Sequence, residues 1–170
     1  MLHPFQAIPA DYYLWVFVPL AALTVFLIAV FRLIPLQPDI VQFELNAEQV
    51  IKSWGEAAKI RAAFSLGLDF LFLIVYSTTI GLACVWAAKV VQIRELPLVN
   101  VGILLAWGQW LAALLDILEN IALVIILFDP VKTNWSQLAK LCAISKFSLV
   151  ILGMLYVGVS VIVLGWSKFV

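Results

Sequence analysis

The run Asp116-Ile117-Leu118-Glu119-Asn120 sets two carboxyls and an amide inside an apolar stretch that reaches from Leu96 to Phe128. Carboxyls in such surroundings can hold a proton or a cation, pair with a buried base, or work as acid and base on a substrate. Asp69 and Lys146 sit inside two further apolar stretches, which adds a third acid and the base they would need. The candidate cluster is therefore Asp69, Asp116, Glu119, Asn120 and Lys146, with Tyr76, Gln109 and Ser145 as candidates to line a ligand beside it.

The elements that must position these residues follow from the hydropathy. The chain has 170 residues, is 65% hydrophobic and has a mean hydropathy of +1.13, with its apolar residues gathered into four long segments. These run from Tyr12 to Leu36, Ala62 to Val90, Leu96 to Phe128 and Ser136 to Trp166, each at or above the ~20 residues that span a hydrocarbon core. Backbone polar groups in lipid must be paired internally, and Gly and Pro do not recur at hairpin spacing, so helices are expected and a barrel is not. The expected fold is all-α: one polytopic domain over residues 1–170, a bundle of four transmembrane helices.

One substantial polar segment, Gln37 to Arg61, separates the first and second helices. Asn46-Ala47-Glu48-Gln49 has the spacing of a capping box, and Val50, Ile51, Trp54, Ala57 and Ala58 alternate at helical spacing with Glu48, Lys52, Ser53, Glu56 and Lys59. An amphipathic helix over about 46–60 is expected to lie in the membrane interface or to close the bundle mouth, with Gly55 breaking it before the second helix. Arg32, Lys52, Lys59, Arg61, Lys132 and Lys140 fall on that side, against Lys89, Arg94 and Lys168 on the other. The positive-inside rule puts the amphipathic segment in the cytoplasm and both termini outside, with Tyr12, Tyr13, Trp15 and Trp166 as interfacial aromatics there. The first apolar stretch is longer than a signal h-region and has no Lys or Arg before it, so a retained helix is expected.

Composition also removes several functions. A formal net charge of zero argues against nucleic-acid partners and against a polybasic lipid-surface patch. Cys84 and Cys142 lie in separate helices without CxxC spacing, which indicates neither a disulfide framework nor a zinc site. The single histidine, His3, lies in the N-terminal tail, so a bis-histidine haem within the bundle is not available. No cofactor and no metal is expected.

Antiparallel helices joined by short loops give the depth of each buried charge. Asp69, Glu119 and Lys146 are expected on one level, about 12 to 15 Å from the cytoplasmic helix ends, with Asp116 one turn deeper. On the third helix Gln109, Ala112, Ala113, Asp116, Glu119 and Asn120 share one arc, small and polar, of the kind that lets membrane helices approach closely. Asp69 and Tyr76, seven residues apart, share a face of the second helix. Exposing the four ionisable residues to lipid would cost roughly 10 kcal/mol on insertion scales of ~2.5 to 3.5 kcal/mol each, so they must face one another. A direct Glu119–Lys146 pair is expected. Three acids then meet one lysine, and at least one carboxyl, Asp116 by its depth, is expected to be protonated or to share a cation or a ligand amine.

Phe43-Glu44-Leu45 and Ala47-Glu48 leading to Ser53-Trp54-Gly55, then Leu68-Asp69-Phe70-Leu71-Phe72 with Tyr76, then Asp116 to Asn120 with Ala122-Leu123, and Cys142-Ala143 with Lys146-Phe147 form a pattern. It resembles a family of small four-span bacterial membrane proteins of unassigned function. The resemblance covers residues 43–147 and implies that the four-helix architecture and the Asp/Glu-Asn/Lys set belong together; it carries no activity. Three function classes remain. The first is a membrane subunit or binding module that holds a membrane lipid, a small amphiphile, a protein partner or a second copy of itself. The second is a proton- or cation-coupled carrier, for which four helices without a repeat are few. The third is an intramembrane acid/base enzyme acting on a lipid, which the sequence supports with no nucleophile elbow, HExxH or phosphate loop.

Overall fold

A computed structural model describes residues 2–93, 98–129 and 133–166. After two short 3-10 turns, Pro4–Ala7 and Ala10–Tyr12, come five α-helices: α1 (Tyr13–Arg32), α2 (Ile40–Ser53), α3 (Glu56–Ile93), α4 (Val99–Phe128) and α5 (Thr133–Trp166). No strand occurs among the described residues. α1, α3, α4 and α5 are long and apolar enough to cross a membrane, and the chain is a helical membrane protein on that basis. Arg94, Lys132 and Lys168, which enter the charge bias, and the ring of Trp166 lie outside the described residues.

The packing is uneven. α3, α4 and α5 pack along one another, whereas α1 lies against α3 and, among the described residues, touches neither α4 nor α5. Small residues let the three inner helices approach: Ala106, Ala112 and Ala122 of α4 and Ala139 and Ala143 of α5 are fully buried. Two glycines are required by contact. A Cβ at Gly102 would stand 2.5 Å from the Tyr156 hydroxyl, and one at Gly153 would stand 2.5 Å from Gln109 Nε2. Outward positions of α4 such as Leu104, Leu111, Leu114 and Leu118 are exposed, as a lipid-facing stripe requires. α1 is held to α3 by Leu27, by the Thr24–Thr79 hydroxyl contact at 3.1 Å and by the Phe31–Phe72 ring pair, and leaves most of its surface bare.

The polar segment folds differently from the expectation. Its helix starts at Ile40, six residues before Asn46, because Asp39 is the N-cap and its Oδ1 accepts from Gln42 N at 2.8 Å. Asn46 instead marks a kink inside α2, with φ −143° and ψ 49°. α2 ends at Ser53; Trp54 is extended, and Glu56 and Lys59 belong to the first turns of α3. The expected single helix over 46–60 is thus two helices meeting at Trp54-Gly55, where the backbone leaves helical geometry. α2 buries Phe43, Ala47, Val50 and Ile51 against α4 and α5, in a cluster with Trp54, Leu66, Leu123 and Ile126. It forms a cap over one end of the three inner helices.

The other end is capped by the N-terminal turns. Tyr13 Oη donates to Phe5 O at 2.6 Å, and Lys89 Nζ donates to Gln6 O at 3.3 Å and Ile8 O at 3.2 Å while lying 4.5 Å over the Tyr13 ring. His3, read above as part of a tail, is only 2% exposed, with its ring against Phe5, Trp107 and Trp110. A run of apolar residues around one polar side chain left no sign of this docking in the sequence.

Candidate functional site

Lys146 of α5 is the centre of the buried charge. Its Nζ donates to Asp116 Oδ1 at 2.6 Å and stands 2.8 Å from Glu119 Oε2, both on α4. Asp116 and Glu119 are three residues apart and so share a helix face, one turn of which the lysine stem can bridge. The Glu119–Lys146 pair expected from depth is present. Asp116 differs from its expectation: it takes the shortest bond to Lys146, and its Oδ2 accepts from Tyr76 Oη at 2.9 Å. Each oxygen of that carboxyl thus has a donor, the Lys146 ammonium on one and the Tyr76 hydroxyl on the other. The equal-depth argument missed this because it ranks Cα positions, and a lysine head lies well away from its own Cα.

Asp69, expected on one level with Lys146, makes no direct ion pair with it. Its Oδ2 accepts from Asn120 Nδ2 at 2.6 Å, which joins α3 to α4 as the Tyr76–Asp116 bond does one level away. Gln109 is fully buried and donates from Nε2 to Leu149 O at 2.9 Å, a tie between α4 and α5. It ties helices together here, and neither it nor half-buried Ser145 is among the residues that line the cleft described below. Arg61 is exposed and donates to Pro35 O at 3.1 Å, which holds the connector and leaves the cluster alone.

A fourth acid was not among the candidates. Glu44 comes from the buried face of α2, is 7% exposed, and places Oε2 3.7 Å from Lys146 Nζ. Glu119 is a further acidic neighbour, and Glu44 Oε2 has no hydrogen-bond partner. Burial pushes the Glu44 carboxyl above its ordinary range; Lys146 pulls the other way, and Asp116 adds to the rise. Asp39-Ile40-Val41-Gln42, an N-cap with Gln at N3, was the signal that could have found it. A helix begun there puts Glu44 on the same face as Ala47 and Ile51, an acid on an apolar stripe.

These groups open onto a cleft of about 1020 Å³ between α1 and α5, floored by α3. Thr24, Ile28 and Phe31 of α1 form one wall; Phe147, Val150, Ile151 and Met154 of α5 form the other. The end beneath α2 is polar, with Glu44, Asp69, Asp116, Lys146 and Tyr76 reaching the surface of the cleft, and Glu119 behind them. α1 and α5 do not pack against each other, so the cleft lies in the gap between them. Cys84 and Cys142 are buried and free, and no group of His, Cys, Asp and Glu side chains among the described residues has the arrangement of a metal site. Comparison of the chain with protein-family models, with curated proteins and with solved structures finds no match.

Proposed function

We propose that the protein is a small integral membrane binding module that admits an amphiphile sideways from the bilayer into the cleft between α1 and α5. The cleft carries the reading: its long walls are apolar, its one polar end is buried under α2, and its volume lies at the top of the ~300 to 1,000 Å³ range of ligand pockets. A chain would lie along Ile28, Phe31, Val150 and Met154, and a head would meet the acids. Lys52, Lys59, Arg61, Arg32 and Lys140 lie toward the α2 end, so we assign that end to the cytoplasm and the termini to the outer side of a bacterial inner membrane. On that assignment α2 is an interfacial cap. The resemblance over residues 43–147 supports the bacterial assignment as a proposal.

A second reading, a proton-coupled carrier, is favoured by one observation: three buried acids, Glu44, Asp116 and Glu119, and half-buried Asp69 gather about one buried lysine. Mass spectrometry of protein extracted in a mild nonionic detergent tests the first reading. A retained amphiphile near one per chain is expected, lost when Ile151→Trp fills the cleft. Protein that retains none, with unchanged stability after exhaustive delipidation, would overturn it.

A further inference from the structure

Resting on the cleft-binding reading, we infer that the amphiphile carries a cationic head, an ammonium group received by Glu44 and Asp69 at the polar end of the cleft. Charge balance is the first ground. Among the described residues Lys146 is the one buried lysine or arginine, and Glu44, Asp69, Asp116 and Glu119 surround it. Even with any one of the four carboxyls protonated, three negative charges face one positive charge in a site walled by apolar helices. A cation supplied from the cleft restores the balance that the chain lacks.

Geometry is the second ground, and it says where that cation sits. Lys146 is committed to Asp116 and Glu119 at 2.6 and 2.8 Å, while Glu44 Oε2 is 3.7 Å away and has no hydrogen-bond donor although the residue is 93% buried. Asp69 accepts from the neutral Asn120 amide and makes no direct ion pair with Lys146, which reaches it only through a longer-range charge interaction. Both residues line the cleft. The rings of Phe72 and Tyr76, 5.1 Å apart, line the same cleft and supply aromatic surface of the kind that receives cations. Arg32 lines the cleft too, but its residue is exposed at the last turn of α1, at the outer margin. A fatty acid or a phosphate without an amine would bring a further negative charge against Glu44 and Asp69.

The test is competitive loading of the delipidated full chain in maltoside detergent, read by native mass spectrometry. The probes share twelve-carbon chains: dodecylamine, dodecanol and dodecanoic acid, with dilauroyl phosphatidylethanolamine and dilauroyl phosphatidylglycerol as the two phospholipid arms. The amine-bearing probes are expected to be retained about tenfold or more over their neutral and anionic counterparts. Dodecylamine against the phosphatidylethanolamine tells a simple amine from a phospholipid head. Asp69→Asn and, separately, Glu44→Gln should reduce the preference to about twofold or less while retention of dodecanol persists. If Glu44→Gln fails to fold, Asp69→Asn carries the test alone, with helicity by circular dichroism as its control. Equal retention of acid, alcohol and amine overturns the cationic head and leaves the cleft reading intact; retention of no probe overturns the cleft reading itself.

Discussion

At one end of the inner helices α2 folds over charge, bringing Glu44 to Lys146, Asp116 and Glu119; at the other, residues 3–8 fold over ring faces, bringing His3 to Trp107 and Trp110. Both caps bury a titratable side chain, and they do it by opposite means. Under α2 the charges are matched in part, with Glu44, Asp116 and Glu119 all set around one lysine. Under the N-terminal turns the charge is avoided: His3 Nδ1 accepts from Phe5 N at 3.2 Å, which puts the proton on Nε2, and burial lowers the affinity of the ring for a second proton. Nε2 has no polar partner and faces aromatic rings, a contact that a neutral N–H tolerates and a cation in the α2 cluster would not need. A cap built on matched charge can respond to a charged ligand. A cap built on ring packing can only close.

The largest effect that separates the ends is loss of Lys146. Lys146→Met strands Asp116 and Glu119 without a counter-charge and should cost about 3–5 kcal/mol in reversible unfolding, with the double change Lys146→Met, Glu119→Gln recovering part of it. Additive losses in that cycle would show that the two side chains do not act as a pair. Gly102→Ala comes next and touches the opposite half: the new Cβ meets the Tyr156 ring at 2.5–2.6 Å, in a tight α4–α5 contact, and should cost about 1–3 kcal/mol with no change in amphiphile retention.

Two smaller effects are pH profiles of opposite sign. The folded state holds the Glu44 proton more tightly than the unfolded chain does, so this contribution is complete below the ordinary value of 4.5 and is lost as pH rises through the raised folded value. Glu44→Gln should remove that decline on the alkaline side, measured as the difference from the native chain in thermal midpoint against pH. His3 is the reverse case. Its contribution is present above the ordinary 6.5 and is lost as pH falls through the lowered folded value. Acidification should loosen the N-terminal cap, read as tryptophan emission from Trp107 and Trp110, and His3→Phe should abolish the change while leaving the α2 end untouched.

Much of this was legible in the chain because membrane helices announce themselves. Four apolar segments and the buried face of α4, from Gln109 through Ala112 and Asp116 to Asn120, follow from hydropathy and helical period, which lipid enforces over long stretches. The α2 cap was read less well. Asn46 and Asp39 both have N-cap chemistry, and the apolar residues after Asn46 favoured the later start, which left Glu44 in a loop. The N-terminal plug was not legible at all, since 3-10 turns of three or four residues have no period and His3 owes much of its burial to rings more than 100 residues away.

What the sequence by itself determined is the set of spans and the necessity that Asp69, Asp116, Glu119 and Lys146 avoid lipid, because both depend on transfer free energies of residues taken one at a time. What only the tertiary structure decided is who pairs with whom: Asp116 with Lys146 and Tyr76, Asp69 with Asn120, Glu44 at the margin of the lysine. It also decided that α1 stands apart from α5, which opens the cleft. Those outcomes turn on helix rotations and side-chain reach of a few ångströms, differences that leave the hydropathy of the chain unchanged.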